Sequence, residues 1–306
     1  MDGIIVVNKP IDMTSSRAVQ LICRLFPGQK AGHTGTLDPL ATGVLPVCLG
    51  RATRLAEYVV QLPKTYRAEI TLGKTSDTGD AEGRISETGA VPSLEHGRIE
   101  EVLLKFKGEI EQLPPFYSAV KHEGKPLYHW TRKGREVPRR LRTATIFEIN
   151  LLQLNFEQEP HLVIEVRCSS GTYIRTLAAD IGEEIGCGAY LSALVRTAVG
   201  PYRLDNALTP EQAAEMAELG RAGEIVLPMD TAVQHLRRIS LKDEQLEALR
   251  NGLILKPDDR SLLRDIEESA PVRVYDGQGN FKALVSKIDQ GGEPGLKTLK
   301  YIMQER

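Results

Sequence analysis

The residues that could do chemistry gather in one short stretch, Gly32-His33-Thr34-Gly35-Thr36-Leu37-Asp38-Pro39-Leu40-Ala41-Thr42-Gly43. Its glycines permit positive φ, and Pro39 fixes its own φ while biasing Asp38 towards an extended conformation. The hydroxyls of Thr34, Thr36 and Thr42 can bond to nearby backbone. Asp38 sits in the middle, between Leu37 and the Pro39-Leu40 pair. A carboxylate held in a rigid, partly apolar loop can serve as a nucleophile or a general base. The plainer alternative is a turn in which Asp38 caps the next segment, and on residue chemistry alone that is the commoner outcome.

Other chemistries leave no mark. The sequence has no GxxxxGK phosphate loop, no HExxH and no Cys/His cluster, so neither a metal nor a cofactor is expected. Cys23, Cys48, Cys168 and Cys187 are far apart, which fits buried free thiols in a reducing cytoplasm. The N-terminal Ile4-Ile5-Val6-Val7 run lacks a basic flank and is too short for a signal peptide, and no window reaches membrane-span length.

The formal net charge is −2, so attraction to a polyanion must come from local clustering of cations. One segment has it. Tyr117 to Arg142 carries Lys121, Lys125, Arg132, Lys133, Arg135, Arg139, Arg140 and Arg142 against two acids, Glu123 and Glu136. Tyr117, Tyr128, Trp130, His122 and His129 are interleaved with them. That mixture suits a surface that tracks phosphates and stacks on exposed bases. The alternative is a solvated charged face with Tyr128 and Trp130 anchoring a local helix.

These candidates need elements to hold them. Gly3 to Val7 reads as a short buried strand. Thr14 or Ser15 can cap a helix with Ala18, Val19, Ile22, Leu25 and Phe26 at helical spacing. A helix is predicted over Ala52 to Val60. Lys64 to Gly73 alternates as a strand, with Tyr66, Ala68, Ile70 and Leu72 on one face. A turn follows over Thr75 to Asp80, then a helix from Leu94 to Phe106. Ile146 to Phe156 and Leu162 to Cys168 read as antiparallel strands, and Cys168 to Gly182 as strand, turn and helix. Leu191 to Val199 is a further strand, with Leu194 and Arg196 opposite Val195. Helices are predicted over Pro210 to Leu219 and Asp243 to Asn251, and a hairpin over Pro271 to Ser286. At 306 residues about two domains are expected, with a boundary near residue 235.

The run GHTGTLDPLATGVLP resembles the catalytic loop of the TruB family of bacterial pseudouridine synthases, which act on the T-loop of transfer RNA. Two further runs resemble the same family: Gly171-Thr172-Tyr173-Ile174-Arg175, and Tyr117-Ser118-Ala119-Val120-Lys121 with Gly124 three residues on. The resemblance covers residue 3 to about 200 and is looser beyond. It implies a mixed α/β (α+β) catalytic domain over 1–235, with a mostly antiparallel central sheet flanked by helices. An RNA-gripping insertion at about 114–142 and a small β-rich PUA-like RNA-binding domain over 236–306 are implied too.

The implied activity is isomerisation of uridine-55 of tRNA by base flipping, without cofactor or metal, by a cytoplasmic monomer. Asp38 would be the nucleophile, Arg175 its partner, and Tyr66 the ring stacked on the extruded uracil. His33, Tyr173 and Leu194 would line the substrate site. Lys9, grouped with them, belongs to a Lys-Pro pair that supports the loop without a chemical role. Lys121, Arg132, Lys133 and Arg135 would meet the RNA backbone. Plainer roles remain open at this stage: Tyr66 and Leu194 as core residues, Tyr173 as packing, His33 bonded to backbone, and Arg175 paired with Asp180 or Glu183 on its own helix. Three other functions compete: a tRNA-folding factor using the same surface, a sibling synthase acting on another RNA, and a nucleotide hydrolase built on the Gly/Thr loop. The last lacks a lysine after the final glycine, where Val44 stands.

Overall fold

The strands that flank the Asp38 loop are buried on both faces, and the reason is in their sequence. In β1 (Gly3–Lys9) and β3 (Thr42–Leu49) the apolar residues do not alternate with polar ones. Ile5, Val7, Leu45 and Val47 enter one core, while Ile4, Val6, Val44 and Cys48 enter a second on the opposite side. A computed structural model describes residues 1–93, 95–118, 120–131, 133–135, 137–156, 159–256, 260–290 and 293–302. Leu94, Ala119, Arg132 and Glu136, named above, lie outside the described residues.

In chain order, β1 is followed by α1 (Ser15–Leu25), β2 (Ala31–His33), β3, α2 (Ala56–Gln61), β4 (Lys64–Leu72), β5 (Lys74–Ser76) and β6 (Ile85–Glu87). Then come α3 (His96–Leu104), β7 (Gly108–Gln112), β8 (Lys121–His122), β9 (Lys125–Pro126) and α4 (Leu127–Thr131). They are followed by β10 (Arg142–Asn155), β11 (His161–Cys168), α5 (Ile174–Ile185), β12 (Ala189–Val199), β13 (Tyr202–Arg203) and α6 (Pro210–Glu218). The central sheet runs β1-β3-β12-β4-β11-β10-β7, with β2 joined to β3 and β13 to β12. Its pairings are antiparallel except β3 with β12, where Thr42 and Gly43 meet Val195 and Arg196 in parallel. The architecture is therefore the expected mixed, mostly antiparallel sheet with helices.

Helices α1, α3, α5 and α6 bury Ala18 and Ile22, Ile99 and Val102, Leu177 and Ile181, and Ala213 in the first core. On the other side a four-stranded sheet contributes to the second core. Its order is β14 (Arg237–Ser240), β15 (Pro271–Tyr275), β16 (Phe281–Gln290) and β17 (Glu293–Tyr301), with α7 (Asp243–Arg250) packed on it. Leu284 and Ile302 enter the second core beside Ala52 and Leu55, and Arg51 donates to the Ile302 carbonyl at 2.7 Å. This β-rich unit is thus bonded to the 3-10 turn that directly follows β3.

Several expectations need correction. The stretch 32–43 is not all loop: His33 closes β2, where it pairs with Val47, and Thr42 opens β3. The helix expected from Ala52 begins as a 3-10 turn over Gly50–Leu55 and becomes α-helical only at Ala56. The Thr75 to Asp80 turn begins inside β5. The helix after it spans His96–Leu104. Strands β7 and β17 carry no clear alternation in Gly108-Glu109-Ile110-Glu111-Gln112 or across Gly295, and went unanticipated.

One glycine makes the parallel crossing possible. Gly43 has φ +99°, and a Cβ there would stand 2.3 Å from the Arg196 carbonyl oxygen. Gly43→Ala is expected to destabilise the protein by about 3 kcal/mol, from strain plus the forced separation of β3 and β12. Urea unfolding monitored by circular dichroism measures it, and a loss well under 1 kcal/mol would mean the crossing can open freely.

Candidate active site

The Asp38 loop is held through its backbone by three distant side chains. Ser15, buried at the start of α1, accepts from the Leu37 N–H at 2.8 Å and donates to the Leu37 carbonyl at 3.0 Å. Lys9 is fully buried, and its ammonium donates to the carbonyls of Pro10 (2.8 Å), Met13 (2.6 Å) and Pro39 (3.2 Å). Burial pushes the Lys9 pKa down to about 8, against the pull of the Asp38 carboxylate. Lys9 therefore offers no surface to a substrate. Its grouping with the substrate-binding residues is corrected, and its supporting role stands.

The third side chain is Arg196 on β12, 1% exposed. Its Nε donates to the Val44 carbonyl at 2.7 Å and its Nη2 to the Gly35 carbonyl at 3.1 Å, so it bridges both flanks of the loop. The reading of the sequence gave Arg196 no function. The available signal was an arginine sharing a strand face with Leu194.

With the loop so held, the Asp38 carboxylate does not cap its own turn. Asp38 Oδ2 lies 3.2 Å from Nη2 of Arg175, in the first turn of α5. Arg175 is 7% exposed, and its Nη1 donates to Asp80 Oδ2 at 3.1 Å. Arg175 is therefore not spent on Asp180 or Glu183; it stands between two carboxylates brought from far away in sequence. Asp80, buried in turn, accepts from the Thr78 hydroxyl at 2.5 Å and the Glu82 N–H at 3.1 Å. The approach is close: Gly79 has φ +78°, and a Cβ there would touch the Arg175 Cβ at 3.4 Å. Asp80 was also missed, since Ser76-Asp77-Thr78-Gly79-Asp80 reads as an ordinary turn.

Burial raises the pKa of Asp38, and the neighbouring Asp80 adds to that, while Arg175 and then Lys9 oppose it. Tyr66 is half-buried on β4 against the first core, directly across from Arg196 on β12. Burial raises the pKa of its phenol and the Arg196 guanidinium counters it. Leu194, 8% exposed, lies two residues from Arg196 along β12, in the same core as Leu37. His33 ends β2 half-buried with Nδ1 unpartnered, and burial followed by Arg196 lowers its pKa. Its ring is thus favoured neutral. Tyr173 caps α5 immediately before Ile174 and Arg175.

Lys121 pairs with Pro126 in the β8–β9 ribbon, and Lys133 and Arg135 are exposed after α4. Among the described residues, no group of His, Cys, Asp and Glu could hold a metal ion. No helix of the described residues is long and apolar enough to cross a membrane.

Comparison with known proteins places this geometry. Residues 24–174 match the TruB family pseudouridylate synthase N-terminal domain, and residues 175–234 the tRNA pseudouridylate synthase B C-terminal domain. The chain belongs to the TruB family of pseudouridylate synthases. A tRNA pseudouridine synthase B of Marinomonas sp. is 44% identical over 286 residues, covering 93% of this chain and 90% of the relative. That of Vibrio campbellii is 38% identical over 100% of this chain and 97% of its own. Among solved structures, a Cbf5-Nop10-Gar1 complex aligns with a TM-score of 0.74 and 27% identity, over 98% of this chain and 85% of that one. An H/ACA ribonucleoprotein bound to a substrate RNA containing 2′-deoxyuridine aligns at 0.73 and 25%, over 99% and 85%.

The enzyme is accordingly an isomerase: a pseudouridine synthase breaks the N1–C1′ bond of uridine and joins C1′ to C5, gaining and losing no other group. The family models end at residue 234, just before the second sheet begins at Arg237.

The electrostatics of this TruB-family site predict a pH response. An ionised Asp38 is lost as pH falls through a pKa raised above the ordinary aspartate range, so a rate that depends on this carboxylate has its acid limb above that range. Removing the opposing cation favours the protonated acid further. Arg175→Gln should therefore lower the rate and move the acid limb to higher pH. Single-turnover rates between about pH 4 and pH 8 test this; a limb that stays in place, or moves down, removes Arg175 as the group that keeps Asp38 ionised.

Proposed function

We propose that this enzyme isomerises uridine-55 in the T-loop of tRNA, with Asp38 as the nucleophile. The observation that carries the reading is the Asp38–Arg175–Asp80 arrangement. One carboxylate is locked by a buried guanidinium, and the other is left partly open, 39% exposed at its side chain, on a loop held rigid through its backbone. An aspartate placed for capping or for packing would not need a buried arginine brought up to its outer face.

The uracil has to leave its stack to reach Asp38. Tyr66 stacks on the flipped ring, and Leu194 closes the apolar side. The neutral ring of His33 fills the space that the nucleotide vacates. Tyr173 borders the site at the start of α5. The insertion grips the stem of the T-arm through Lys121, Arg132, Lys133 and Arg135. The β-rich unit from Arg237 onwards acts as a PUA-like RNA-binding appendage. Recognition is chiefly of stem-loop shape and unstacked bases, as RNA generally requires.

Release of tritium from C5 of uridine in an unmodified tRNA transcript tests the reading. Wild type should release one equivalent per tRNA. Asp38→Asn should release none, yet bind tRNA within about tenfold of wild type, because phosphate contacts dominate affinity. An active, folded Asp38→Asn enzyme would end the nucleophile assignment, and release from ribosomal fragments in preference to T-arm minihelices would change the substrate.

The basic insertion makes a separate prediction. Changing Lys133 and Arg135 together to Ala should weaken tRNA binding and flatten the plot of log affinity against log salt by about 1.5, close to 0.7–0.9 per lost phosphate contact. Binding measured across a salt series decides it; an unchanged slope would make these residues a solvated face.

A further inference from the structure

The insertion and the catalytic arginine meet at one small, buried junction. Gln112, the last residue of β7, is 2% exposed. Its Nε2 donates to the Tyr173 carbonyl at 3.2 Å, and its Oε1 accepts from the Tyr173 N–H at 2.9 Å. A side-chain amide that engages both backbone groups of one residue fixes rotation as well as position. The residue it fixes is the cap of α5, where backbone N–H groups have no partner within the helix. Thr176 Oγ1 adds a bond to the Leu113 carbonyl at 3.4 Å.

Further into the insertion, the Tyr117 carbonyl accepts from Nη2 of Arg175 at 2.7 Å. That same nitrogen faces Asp38 Oδ2 at 3.2 Å. One guanidinium nitrogen is therefore shared between the insertion and the catalytic carboxylate, and the insertion holds it more closely. A displacement of residues 112–117 would be felt at Arg175 along two routes: the helix cap through Gln112, and Nη2 through Tyr117. We propose that Gln112 is a positioning residue that transmits the seating of the insertion on RNA to Arg175, and so to Asp38. The proposal rests on the reading of the insertion as an RNA-gripping surface and of Asp38 as the nucleophile.

A purely structural glutamine would affect stability and nothing else at saturating RNA. The test separates rate from affinity, using single-turnover tritium release and tRNA binding. Gln112→Met keeps the side chain's length and removes both bonds. It should lower the saturating rate by roughly 10- to 100-fold, the scale of a small misplacement of a catalytic group, with tRNA affinity within about twofold because the phosphate contacts remain. Gln112→Glu keeps an acceptor for the Tyr173 N–H, should give an intermediate rate, and carries the test where Met costs the fold.

A double-mutant cycle completes it. In the wild-type background, Lys133→Ala with Arg135→Ala should lower the saturating rate as well as affinity. In the Gln112→Met background it should lower affinity alone. An unchanged saturating rate in the Gln112 variants, or an equal loss of rate in both backgrounds, overturns the proposal. An active Asp38→Asn enzyme in the same assay overturns the functional reading instead, so the two failures are told apart.

Discussion

A guanidinium nearly closed to water, set between two carboxylates, governs this site. Burying a charge is expensive unless it is paired and hydrogen-bonded, and Arg175 meets both conditions. The two carboxylates are not equivalent. Asp80 is 1% exposed and needs Arg175 for its own neutralisation, whereas the Asp38 side chain keeps 39% of its exposure. The cation is thus committed to Asp80, by a hydrogen bond, and only leans on Asp38, through an ion pair. That asymmetry leaves the Asp38 carboxylate partly open beside its counter-ion, which is the arrangement the proposed nucleophile needs.

The loop is held in a corresponding way. Ser15, Lys9 and Arg196 reach it from three separate elements, and each bonds to backbone, leaving the Asp38 side chain unencumbered. Two of these groups are buried cations whose charge is met by carbonyl oxygens. A carbonyl has two lone pairs and no proton to lose, so it can hold a cation without competing for the catalytic acid. The same arrangement puts Arg196 next to Tyr66, so the ring on β4 and the loop before β3 are fixed to one side chain. The second core, shared with Leu284 and Ile302, stiffens β1 and β3 from behind.

Much of this was legible from the sequence where a pattern is local. Alternation in Tyr66, Ala68 and Ile70 marks β4, and Thr14 with Ser15 marks the start of α1. The family motifs point to Asp38, Tyr66 and Arg175. What stayed hidden depends on residues that meet only after folding. Asp80 reaches Arg175 from 95 residues away, and its own neighbourhood has the chemistry of a turn. Gln112 closes a strand, Gly108-Glu109-Ile110-Glu111-Gln112, too polar to announce itself, yet it is among the most buried polar residues of the chain. The role of Lys9 could be inferred only by analogy, because nothing in Lys9-Pro10 predicts three carbonyl partners. Arg196 was in view on its strand, but a lone arginine on an apolar face does not say which backbone groups will surround it.

The distribution of burial around the site also bears on how RNA engages it. The cations that hold Asp38 and its loop, namely Arg175, Lys9 and Arg196, are 7%, 0% and 1% exposed. Asp38 stays partly open and Glu82, whose pKa is raised by burial and by Asp80 and Asp38, is exposed. What the cleft presents to solvent is therefore carboxylate, with its positive charge set behind. Such a surface repels phosphate and admits an uncharged ring. On the proposed reading RNA is attracted elsewhere, by the cations of the insertion, in a chain whose net charge is −2 overall. The proposed flipping would reconcile the two demands, because it would carry the neutral base to the Asp38 carboxylate while its phosphates stay with the insertion. On that reading attraction and chemistry fall to different parts of the chain, and a link between them is needed if a badly seated RNA is to be left unmodified. The shared nitrogen of Arg175, held by the Tyr117 carbonyl on one side and facing Asp38 on the other, stands where such a link has to be.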